Sequence, residues 1–73
     1  MFFDKMTEVL NNPVIFTVEK LGKKGNALSS YKFQARQGTT LERAWETQKI
    51  WFRPGTQVRI TDENGNKHIF IKE

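Results

Sequence analysis

The chain has 73 residues, no cysteine and a net charge of +4. One small core is all that such a length supports, and neither a disulfide nor a thiolate metal site is there to brace it. The start, Met1-Phe2-Phe3-Asp4-Lys5-Met6, has an early acid and no long apolar run, so a signal peptide or membrane span is not expected and a soluble cytoplasmic protein is.

Phe2, Phe3, Met6, Val9 and Leu10 recur at spacings of three and four up to Asn11-Asn12-Pro13, which predicts a short amphipathic helix or turn over 1–12. The first strand is expected over Val14–Leu21, with Val14, Phe16 and Val18 inward and Ile15, Thr17 and Glu19 outward. The second is expected over Ser30–Arg36, with Tyr31, Phe33 and Ala35 inward and Lys32, Gln34 and Arg36 outward. Between them Gly22-Lys23-Lys24-Gly25-Asn26 is a polar turn, short enough to make an antiparallel hairpin.

Thr39 with Glu42 three positions on predicts a capping box at a helix start. Leu41, Ala44, Trp45, Gln48 and Phe52 then share one side, while Glu42, Arg43, Glu46 and Lys49 share the other. Ile50 falls on the polar side, so it is exposed or the helix ends before it. Pro54-Gly55 turns the chain into a strand over Gln57–Thr61, paired with His68–Lys72 across Asp62-Glu63-Asn64-Gly65-Asn66-Lys67.

Asn-Gly between two alternating runs predicts a two-residue type I′ turn. That register sets Ile60 opposite Ile69, Val58 opposite Ile71, Arg59 opposite Phe70 and Thr61 opposite His68. The expected architecture is therefore a single α+β domain over 1–73, with an N-terminal helical segment at 1–12 and a ββαββ unit at 14–72. In it one helix covers one face of a four-stranded antiparallel sheet. The expected core is Val14, Phe16, Val18, Tyr31, Phe33, Ala35, Leu41, Ala44, Trp45, Phe52, Val58, Ile60, Ile69 and Ile71. Strand order is left open.

Catalytic constellations are missing. His68 is the sole histidine, and Ser29 and Ser30 lack a nucleophile-elbow context. Glu42 and Glu46 lie one turn apart, but Arg43 and Lys49 beside them make an ordinary charged helix surface. The acidic turn after Thr61 has its glycine at the wrong place for a calcium loop and lacks the distal glutamate. Gly22-Lys23-Lys24-Gly25 matches the G-x-x-G loop of KH domains, yet that loop joins helices and this one joins strands. The expectation is no enzyme, no metal and no cofactor.

Charge is uneven: residues 14 to 38 carry Lys20, Lys23, Lys24, Lys32 and Arg36 against Glu19 alone. Such a sector favours an acidic or polyanionic partner. The sheet face away from the helix is expected to show Lys32, Gln34, Arg36, Arg59, His68, Phe70 and Lys72, joined by Ile15 and Thr17 if the first strand is adjacent. Phe70 there would be covered in part by Arg59 through a cation–π contact, or by the N-terminal aromatics. Interleaved cations and an aromatic suit single-stranded nucleic acid. The same patch with Trp51, at the edge of the helix's apolar stripe, suits a protein partner. The candidate partner-binding residues are Lys20, Lys23, Lys24, Lys32, Arg36, Trp51, Arg59, Phe70 and Lys72.

The run Thr39-Thr40-Leu41, with Ala44, Phe52, Gly55-Thr56-x-Val58-Arg59-Ile60 and Asn64-Gly65, resembles a family of phage anti-CRISPR proteins that act on the type I-F surveillance complex. The resemblance spans residues 14 to 66. It implies a non-enzymatic inhibitor that docks on a host nucleoprotein complex in the host cytoplasm, competing with or recruiting nucleic acid. Where that family has basic residues after the helical alanine, this chain has Trp45-Glu46, so no individual contact is carried over. Direct binding of DNA or RNA is the alternative. An oligomeric structural or assembly role, with the N-terminal aromatics as the contact, is the third reading.

Overall fold

A computed structural model describes residues 12–73. The helical segment expected at 1–12, with Phe2, Phe3, Met6, Val9 and Leu10, lies outside the described residues except for Asn12. In chain order the elements are β1 (Val14–Leu21), β2 (Ala27–Ala35), helix α1 (Leu41–Gln48), a 3₁₀ turn (Lys49–Trp51), β3 (Gln57–Thr61) and β4 (Lys67–Ile71). They form a four-stranded sheet in the order β2-β1-β3-β4, with every neighbouring pair antiparallel. Since β2 and β3 both oppose β1, they run parallel to each other with β1 between them, and α1 carries the chain across that gap. This is the expected ββαββ architecture.

The core lies between α1 and one sheet face. Phe16, Val18, Ala44, Trp45, Val58 and Ile60 are buried together, with Val14, Phe33, Ala35, Leu41, Phe52 and Phe70 packed at the margin. Phe16 stacks on Phe33 across β1 and β2, with ring centroids 5.4 Å apart. Trp45 lies almost flat on Phe70, at 5.2 Å and 9° between planes. Leu21 is also buried, but it stands opposite Gln57 on the face away from the helix.

The β3–β4 register differs from the expected one. Val58 opposes Phe70, Arg59 opposes Ile69, Ile60 opposes His68 and Gln57 opposes Ile71. The connection is a three-residue loop closed by Asp62 N–H to the Asn66 carbonyl (2.8 Å), with Gly65 N–H bonded back to the Asp62 carbonyl. Gly65 takes φ +88°, which a side chain resists, and so absorbs the extra residue as a bulge. Asp62 drives this choice. Its Oδ1 accepts from the backbone N–H of both Asn64 and Asn66, and its Oδ2 from Asn66 Nδ2. A one-residue slip exchanges the two faces of β4. Phe70 therefore points to the helix, while Ile69 (49% exposed) and Ile71 (58%) face outward and are not core residues.

Gly22–Asn26 closes the other hairpin in the same way, with Gly22 N–H to Asn26 O and Gly25 N–H to Gly22 O. β2 starts earlier than expected, at Ala27, and carries a bulge opposite Lys20 and Leu21. The helix cap is shifted by one residue. Thr40, not Thr39, accepts the Arg43 N–H, and Thr39 Oγ1 instead donates to the Arg36 carbonyl. Tyr31 is on the helix side as expected, yet it is 40% exposed. The α-helix ends at Gln48, so Tyr31 reaches its end only through Oη, which donates to Gln48 Oε1 at 2.7 Å. Ile50 is exposed in the 3₁₀ turn.

The register makes a direct prediction. Phe70→Ala should cost about 2–4 kcal/mol in urea unfolding. Ile69→Ala and Ile71→Ala should each cost below about 1 kcal/mol. The reverse ranking would restore the two-residue turn.

Candidate binding surfaces

The basic sector is concentrated on the β1–β2 hairpin and the end of β2. Lys23 and Lys24 form the turn, and Lys20 stands beside it on β1 opposite Ser29 and Val58, on the helix side of the sheet. Lys32 opposes Thr17 on the other face, and Arg36 follows β2 directly. All five are exposed. The ion pairs among the described residues are Glu46–Lys49 at 2.9 Å and Glu19–Arg59 at 2.7 Å, so none of these five cations has a carboxylate partner there. β2 is also a sheet edge among the described residues. The hairpin thus offers unneutralised positive charge along its turn, one margin and both faces.

Arg59 belongs to a different setting. It is on the open face as expected, but directly opposite Glu19, to which its Nε donates at 2.7 Å. That hydrogen bond holds the Glu19 carboxyl below its usual range; burial opposes it less strongly, and the charges of Arg59 and Lys67 add smaller lowering effects. The pair is largely neutral toward a ligand. Around it stand Thr17, Thr61, Gln34, Ile15, Ile69 and Ile71. Beyond the end of β3, Ile15 N–H donates to Glu63 Oε2 at 2.9 Å, so the side chain of the β3–β4 loop completes the ladder.

Phe70 and Lys72 lie at the opposite sheet edge from the basic hairpin, three strand spacings or about 14 Å away. The expected placement of Phe70 on the open face is overturned by the register. It stacks on Trp45, and Arg59 is across the sheet from it, so the cation–π contact does not form. His68 also turns to the helix side, tilted against Phe70 at 4.6 Å. Lys72 shares a shallow cleft with Trp45, Glu46, Lys49, Phe70 and Glu73, and its backbone is tied to Thr56 and Gly55. Trp51, 72% exposed beside Ile50, projects from the 3₁₀ turn.

The nine residues therefore do not make one patch. Lys20, Lys23 and Lys24 stand together at the turn end of the β1–β2 hairpin, Lys32 and Arg36 lie farther along β2 toward its other end, and Arg59, Phe70, Lys72 and Trp51 are distributed elsewhere. Sequence reasoning missed the exposed Ile69 and Ile71. The available signal was Asp62 at the head of Asp-Glu-Asn-Gly-Asn, because an aspartate there captures the amides of a three-residue loop. Among the described residues, no three of His, Cys, Asp or Glu stand close enough to share a metal ion, and no helix is long and apolar enough to cross a membrane. No protein-family model, curated protein or solved structure matches the chain.

Two carboxylates give the stability a defined pH dependence. Asp62 is held low first by Asn66 Nδ2 and then by the loop amides, as Glu19 is by Arg59. A carboxyl with a lowered folded-state pKa stabilises above its unfolded value, about 4, and that contribution is lost as pH falls through the folded value. The urea midpoint should therefore fall as pH drops below about 4. In the Glu19→Gln, Asp62→Asn double variant the midpoint should be lower at neutral pH and its acid dependence shallower. An unchanged acid slope would refute these two groups as its source.

Proposed function

We propose that this chain is a non-enzymatic binding protein that inhibits or modulates a host nucleic-acid-processing complex in the cytoplasm, in the manner of the anti-CRISPR proteins it resembles. One observation carries the reading: five exposed cations on the β1–β2 hairpin have no carboxylate partner among the described residues. Charge held so is available to an acidic protein surface or to a nucleoprotein's phosphates, and it accelerates docking on either. Trp51 adds an exposed aromatic of the type favoured as an interface anchor.

Direct recognition of single-stranded nucleic acid is less well supported. Such platforms stack bases on aromatic rings, and the ring expected on the open face, Phe70, is packed against Trp45. Cations alone give phosphate contacts without base stacking.

The test is capture of a defined host complex from nuclease-treated lysate by the tagged protein. The Lys23→Glu, Lys24→Glu variant should lose roughly tenfold or more in affinity for that complex, mainly through slower association. Trp51→Ala should weaken capture while shifting unfolding by no more than about 0.5 kcal/mol. Capture that disappears on nuclease treatment, together with steeply salt-dependent binding to bare DNA or RNA, would assign direct nucleic-acid binding instead. No capture and no nucleic-acid binding would overturn both.

A further inference from the structure

The sheet has two free edges among the described residues, β2 and β4, and they are built differently. Both carry a lysine within the strand, Lys32 in β2 and Lys67 in β4, but β2 also has a bulge near its start, a device that discourages strand-to-strand pairing. β4 has no such bulge, and its sequence Lys67-His68-Ile69-Phe70-Ile71 is rich in strand-forming residues. The backbone phase of β4 follows from its pairing with β3. Lys72 N–H donates to Thr56 O and Asp62 N–H to Asn66 O, so the even-numbered residues of β4 bond inward. Lys67, Ile69 and Ile71 then direct their amides and carbonyls away from the sheet, and their side chains lie together on the open face.

We propose that β4 pairs antiparallel with β4 of a second copy of this chain, extending the sheet across a two-fold axis. The edge is self-complementary in one register. With Ile69 opposite Ile71 of the copy, Lys67 falls opposite Glu73, and each contact occurs twice by symmetry. Both isoleucines, about half exposed in the monomer, gain an apolar neighbour. Each opposed pair can exchange both of its backbone hydrogen bonds. Sliding by two residues in either direction breaks the match: one slide sets Lys67 against Ile71, the other Ile69 against Glu73. The two-fold axis stands normal to the sheet, so both helices lie on the same side and Phe70 meets its counterpart there. The basic hairpins are at the far edges, where their charges do not oppose association.

Sedimentation velocity of the full chain should show a concentration-dependent dimer. Ile69→Lys should abolish the dimer while leaving the circular dichroism spectrum and urea midpoint nearly unchanged, because Ile69 is half exposed. Glu73→Lys should weaken it, and adding Lys67→Glu to that variant should restore it. The chain has no cysteine, so register can be read by cross-linking. Oxidation of Ile69→Cys mixed with Ile71→Cys should yield the disulfide heterodimer, opposed Cα atoms about 5.5 Å apart being within disulfide range. A monomer at every concentration would overturn the proposal. So would self-cross-linking of either variant in preference to the mixture, or a dimer lost only in the Phe2→Ser, Phe3→Ser variant.

Discussion

The stack of Trp45 on Phe70 is the contact on which the other placements depend. A tryptophan on a short helix needs a broad apolar partner, and a nearly parallel ring at 5.2 Å supplies it. β4 must present its even-numbered side chains inward for that ring to be there. The loop after β3 must then hold three residues between its closing pair, with Gly65 in a left-handed conformation that an L side chain resists. A turn shorter by one residue would bury Ile69 and Ile71 and leave Phe70 in water. The choice between these arrangements is made locally, by the Asp62 carboxylate and the amides it collects.

Much of the architecture follows from residue pattern alone, and the exceptions share a cause. β3 alternates strictly between apolar and polar residues and β1 does so from Phe16 to Glu19, and their bounds and inward faces agree with that alternation. The helix side of Leu41, Ala44, Trp45 and Phe52 follows its period in the same way. β4 contains Ile-Phe-Ile, where both faces are apolar and alternation cannot choose between them. There the turn decides, and Asn-Gly occurs both in two-residue turns and in three-residue turns with a glycine bulge. The two turns share a signature: Gly22-Lys23-Lys24-Gly25-Asn26 and Asp62-Glu63-Asn64-Gly65-Asn66 place Gly and Asn alike and close alike. Adjacent threonines posed a similar ambiguity at the helix start, where Thr40 caps and Thr39 closes the preceding turn.

For the binding surfaces, the basic sector from Lys20 to Arg36 was evident from sequence, but its separation from Arg59, Phe70 and Lys72 was not. Grouping depends on strand order, which places β2 and β4 at opposite margins. Arg59 is drawn out of the basic set by Glu19, directly across from it on a neighbouring strand that sequence could not assign. The result is a division of labour across the sheet. One margin is cationic and bulged, the place proposed for an acidic or phosphate-bearing partner. The other is apolar with opposite charges at its ends, suited to its own copy. Under the two proposals, self-association uses one edge and leaves the other for a larger target.

The register of β3 and β4 is tested most directly by proton NMR of the chain in solution. Residues opposed across a non-hydrogen-bonded antiparallel pair bring their α-protons into close contact. The structure places Arg59 with Ile69, Gln57 with Ile71 and Thr61 with Lys67 in that relation. Strong α-proton cross-peaks within those pairs are the expected result. A strong cross-peak between Ile60 and Ile69 would contradict it, returning Phe70 to the open face and removing the apolar margin from β4.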